Sequence, residues 1–232
     1  MRTMVLNRAG SGAVEPRDMN LPFTPDQFFD VFAQYNRSFG SVALLWWIGS
    51  ATALMTALWR PREWTGPLIA LLAALWFWNA GVYHALLFTA INPAAWVFAM
   101  LFAIEGVLLS WAGARGGIGW LCPRAPLSTA GAVLAIYALA YPLANLALGH
   151  PYPHTPTFGV PCPTTILTIG VLLMLRDHPP LALVLVPGVW AVIGGASAWL
   201  FGVWTDIPLL VAGGLLIADR FIRRRRRLER YA

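Results

Sequence analysis

Three groups of polar side chains have the types and spacing to do chemistry, and each lies in or beside an apolar run. Glu105 sits inside the run 93–112. An acidic residue at a bilayer centre costs about 2.5–3.5 kcal/mol on insertion scales, so such residues turn toward a bundle interior. Asn79 lies near the centre of the run 65–90; Tyr83 follows four residues later on the same helical face, with His84 beside it. Helical geometry puts Asn79 and Glu105 at similar depth. In the functional reading, Glu105 binds a proton or cation, and Asn79, Tyr83 and His84 complete the ion or solute site. In the structural alternative, Glu105 is a protonated, hydrogen-bonded residue joining two helices. His84 alone is a packing residue more often than a ligand, and no paired histidine pattern marks a haem.

The second group lies in 141–165, YPLANLALGHPYPHTPTFGVPCPTT, with six prolines. Proline prevents continuous helix. Irregular backbone at membrane depth must be buried in protein or line a wet cavity. The stretch 149–163 therefore reads as a re-entrant or capping loop over an outward-facing cavity, the kind of interruption that marks transport sites. His150, His154 and Cys162 are soft-metal ligands by type, able with His84 or Glu105 to complete a Zn or Cu(I) site. Their spacing matches no established metal motif. A transition metal is thus an expectation these residues permit, and no cofactor is firmly implied. The alternative makes Cys162 a small packing residue and the histidines caps on loop carbonyls.

The third group is the run of seven arginines between 220 and 230. Arg223, Arg224, Arg225, Arg226 and Arg227 follow an apolar segment directly, which suits contact with anionic lipid. No nucleic-acid-binding module accompanies them, so nucleic acid is not an expected partner.

Apolar elements must position all three groups. The chain has 232 residues, 58% hydrophobic and 11% charged, where soluble domains carry near 25% charge. Seven apolar segments can be drawn, over 41–59, 65–90, 93–112, 129–148, 164–175, 181–203 and 207–221. The fifth is too short to span unless 158–163 joins it. The expected fold is all-α, a polytopic bundle of about seven transmembrane helices. Arg60 and Arg62, Arg115 and Arg124, Arg176 and the terminal cluster follow alternate segments, and the other connections carry no arginine. The positive-inside rule then puts the C-terminus in the cytoplasm and the N-terminus outside. Arg2, Arg8, Arg17 and Arg37 weigh against that orientation.

Residues 1–18 read as a disordered tail, with Met19 an alternative start, and 19–221 as one transmembrane domain. Thr24, Pro25 and Gln27 form a helix-start signal. The helix 25–36 that follows reads either as interfacial and amphipathic or as packed against the first span. Residues 222–232 form an arginine-rich cytoplasmic tail. All 16 basic residues are arginine, which excludes a lysine Schiff base. Walker, HExxH and GxSxG motifs are absent.

The segments NLPFTPDQFFDVFAQYN (20–36), AINPAAWVFAMLF (90–102) and GHPYPHTPTFGVPCPTTILTIG (149–170) resemble a bacterial multi-pass membrane family catalogued as domain of unknown function 6064. The resemblance runs over about 20–218 and implies an integral membrane location; the bacterial cytoplasmic membrane is the expected one. It carries no activity and no assigned residue. The expected function is a small permease or ion- or solute-translocating protein. The alternatives are a metal- or redox-handling protein and a non-transporting scaffold or sensor subunit, and an enzyme is the weakest option.

Overall fold

The computed structural model of the chain describes residues 22–116 and 118–229, with only the backbone for 224–229. The tail 1–18, the start at Met19 and the side chains of Arg224, Arg225, Arg226 and Arg227 lie outside the described residues. The described residues form seven α-helices and no strand. Five of the helices are long and apolar enough to cross a membrane.

Helix α1 (Pro25–Trp59) begins at a capping box. Thr24 Oγ1 accepts from the Gln27 amide, and Gln27 Oε1 accepts from the Thr24 amide. Its backbone leaves helical geometry at Phe39 (φ −129°, ψ 15°). The kink joins the expected helix 25–36 and the first span into one element with two environments. Before it, Phe28, Val31, Phe32 and Tyr35 are buried in an aromatic cluster with Tyr83, Phe88 and Val160. After it, Leu44, Leu45, Ile48 and Met55 are exposed, as befits a lipid-facing span. Helix α2 (Pro61–Trp78) runs into a π-helix (Asn79–Leu87) and a short 3₁₀ turn (Phe88–Ala90). Helices α3 (Ala95–Ala114), α4 (Ser128–Ala147), α5 (Pro161–Met174), α6 (Ala182–Phe201) and α7 (Ile207–Glu229) follow.

The arginine-bearing connections meet at one end of the bundle. The Trp120 ring lies between the Arg62 and Arg176 guanidinium groups, at 5.0 and 4.5 Å. Arg223 pairs with Asp219 at 2.7 Å and donates to the carbonyls of Leu173, Leu175 and Arg176. It thereby caps the end of α5, whose last carbonyls have no intrahelical partner. At the opposite end the proline-rich loop, the start of α1 and the turn before α7 pack together.

The shortness of α5 has a structural reason. At 14 residues it spans roughly 21 Å, less than the ~30 Å hydrocarbon core. Every residue of α5 except Cys162 is buried, so the helix is central and need not match the lipid thickness. Its tightest neighbour is α4, where Gly131 meets Gly170. A Cβ on Gly131 would stand 2.5 Å from the Gly170 carbonyl oxygen, and one on Gly170 2.7 Å from that of Gly131. Only glycine permits backbones this close.

Candidate functional site

The π-helix Asn79–Leu87 carries three of the residues singled out in the sequence. π-Helical turns are rare and concentrate at functional sites. Wider winding changes which side chains share a face, and here Asn79, Tyr83 and His84 are all buried. The Asn79 amide donates to the Leu75 carbonyl (2.8 Å) and to Thr164 Oγ1 of α5 (3.1 Å). One turn earlier, Trp76 donates to Thr168 Oγ1 at 2.9 Å. The Asn79 carbonyl oxygen has no partner among the described residues.

His84 is fully buried, its ring packed 4.7 Å from Phe102, 5.2 Å from Trp190 and 5.7 Å from Phe98. Neither ring nitrogen has a hydrogen-bond partner among the described residues. Glu105 lies three residues beyond Phe102 on the same side of α3, with no exposed surface and both carboxyl oxygens unpartnered. Gly106 beside it packs on the Phe77 ring. Glu105 and Asn79 share no hydrogen bond. The Tyr83 ring lies 5.2 Å from the His84 ring, 5.7 Å from Phe32 and 6.4 Å from Tyr35.

The loop 149–163 is anchored by α1. Asn36 Nδ2 donates to the carbonyls of Pro153 (2.6 Å) and Thr155 (2.8 Å), and Asn36 Oδ1 accepts from Thr157 Oγ1 (2.6 Å). The Tyr35 hydroxyl donates to the Phe158 carbonyl at 3.3 Å. These bonds satisfy carbonyls of a proline-rich backbone that is short of amide donors. His154 pairs with Asp30 at 3.3 Å, and His150 stacks on Phe29 with ring centres 4.9 Å apart. Partial burial holds the His150 pKa below its ordinary value. Cys162 sits elsewhere, against Asp206 and near Trp190. Among the described residues no three His, Cys, Asp or Glu side chains gather as a metal site. His150 and His154 thus contact consecutive residues of α1, Phe29 and Asp30, while Cys162 has other neighbours in Asp206 and Trp190.

A second buried polar cluster had no signal in the sequence. Asp206, in the turn between α6 and α7, accepts a 2.5 Å hydrogen bond from the Tyr141 hydroxyl of α4, and the Cys162 thiol of α5 lies beside it. Thr205 beside it donates to Asn145 Oδ1 at 2.8 Å and accepts from the Tyr137 hydroxyl at 2.7 Å through its carbonyl. Burial pushes the Asp206 carboxyl up to about 7, with the Tyr141 bond and the Cys162 thiol pulling it back down. The sequence shows only a connection without arginine there. The partners arrive from residues about 44–68 positions away and leave no local pattern.

The fold and these interior polar groups define an all-helical polytopic membrane protein. The chain belongs to the family of unknown function DUF6064, whose model matches residues 25–231. No curated protein and no solved structure matches the chain.

Proposed function

We propose that the protein is a small translocator that passes a proton or small cation through its bundle, with Glu105 as the carrying group and Asn79 and His84 as its polar neighbours. The observation behind this reading is the set of interior atoms left without partners. The Asn79 side-chain oxygen and both His84 nitrogens on the π-helix, and both Glu105 oxygens on α3 one turn beyond the Phe102 that packs on His84, are buried without partners. Each orphaned buried polar group costs about 1–3 kcal/mol, and more where lipid replaces water. A structural role for Glu105 would supply the missing partner from a neighbouring helix, and none of the described residues does so. A proton on the carboxyl, or water and a cation between these groups, would satisfy them. The membrane would be the bacterial cytoplasmic one, in keeping with the family resemblance.

Reconstitution tests the reading. Vesicles holding the protein and a pH-sensitive dye, under an imposed potential, are expected to take up protons or a monovalent cation well above protein-free vesicles. Glu105→Gln should lower that flux at least tenfold while the protein still elutes as a folded species. Flux equal to empty vesicles, or equal in wild type and Glu105→Gln, would return Glu105, Asn79 and His84 to a structural role and favour the scaffold reading.

A further inference from the structure

A cleft of about 1600 Å³ opens at the arginine-bearing end between α6, α7 and the connections before α4 and α6. Its floor and its rim differ in chemistry. The walls run along Leu185, Val189 and Val192 of α6 and Ile217 and Phe221 of α7. All five are exposed, so the groove faces the surroundings of the bundle, which are lipid in the reading above. From Leu181 to Val192 the α6 wall is roughly 16 Å long at 1.5 Å per residue, enough to hold much of an acyl chain.

The rim is basic. Arg124, Arg176, Arg220 and Arg223 line it, with Asp177 the one carboxylate among the lining residues. Two of these arginines are already engaged. Arg223 is bound to Asp219 and to the α5 carbonyls, and Arg176 lies over the Trp120 ring. Arg124 and Arg220 have no ion pair with a carboxylate among the described residues. Arg220 Nη1 is moreover buried with no hydrogen-bond partner among them. A guanidinium nitrogen shut off from water and left unbonded is costly, and a phosphate oxygen is its natural acceptor. Arginine asymmetry assigns this end to the cytoplasmic leaflet, where anionic lipids attract basic groups.

We propose that the cleft is a binding site for one anionic phospholipid, its phosphate held by Arg124 and Arg220 and its acyl chains laid along α6 and α7. This differs from diffuse attraction of an arginine-rich tail to a charged surface, because it names a pocket with an apolar floor. The tail Arg225, Arg226 and Arg227 then adds general attraction and no selectivity.

The experiment uses the full chain in neutral detergent, with phosphatidylglycerol and phosphatidylcholine offered together and retained lipid read by native mass spectrometry. Wild type is expected to keep phosphatidylglycerol in preference, and R124Q/R220Q to lose that preference about tenfold. R225Q/R226Q/R227Q should keep it. Val189→Trp fills the groove without changing charge and should also lower retention, which keeps the proposal testable if the double variant misfolds. No preference in wild type, or loss only in the tail variant, would overturn the site. Displacement of the lipid by millimolar inorganic phosphate would also overturn it, pointing to a soluble phosphate ligand instead.

Discussion

Asp206 shows how much a single buried carboxyl can set. Its proton is held to about pH 7 in the folded chain against an ordinary value of 3.8. Between those values the folded state binds more protons than the unfolded one, so stability falls as pH rises through that window and levels off above it. Thermal unfolding in detergent is therefore expected at a temperature several degrees higher near pH 5 than near pH 8. Asp206→Asn, which keeps an acceptor for Tyr141, should flatten that dependence. An unchanged slope in Asp206→Asn would mean another group carries it. Glu105, Asn79 and His84 were legible because a polar residue inside a long apolar run is conspicuous in one dimension. Asp206 was not. It sits in a short connection between apolar runs, where a carboxylate is unremarkable until Tyr141 and Cys162 close over it.

Among the elements, the seven helices were legible from hydropathy, and so was the start of α1 from Thr24, Pro25 and Gln27. The π-helix was not, because its residues have the composition of any apolar helix. The proline-rich loop was legible as an interruption, but its anchor was not. That anchor is Asn36, only 2% exposed, whose side chain holds the Pro153 and Thr155 carbonyls and the Thr157 hydroxyl. Asn36→Ala would strand these groups and is expected to cost about 2–3 kcal/mol. The loss should be local, so limited proteolysis would cut within 149–160 in Asn36→Ala and leave wild type intact. Equal cutting of both proteins would show that Tyr35 and the aromatic cluster hold the loop without Asn36.

For the whole molecule, the two ends differ in kind, and that difference predicts an orientation. One end gathers Arg62, Arg176 and Trp120 into a cation–π stack and holds Arg223 against the end of α5. The other is closed by a loop without arginine, from which Tyr152 projects with 62% of its surface exposed. Short connections rich in arginine are retained on the cytoplasmic side of a membrane. The proline-loop end carries no such charge in its 149–163 segment, though Arg37 in α1 lies near it. The arginine-bearing end is thus expected to stay in the cytoplasm. Cysteine labelling reads this directly in a background where Cys122 and Cys162 are replaced by serine, neither being disulfide-bonded. Tyr152→Cys should react with a membrane-impermeant maleimide on intact cells, and Arg60→Cys only after the membrane is opened. The reverse pattern would invert the molecule, and the lipid cleft would then face a leaflet where its arginines find fewer anionic headgroups.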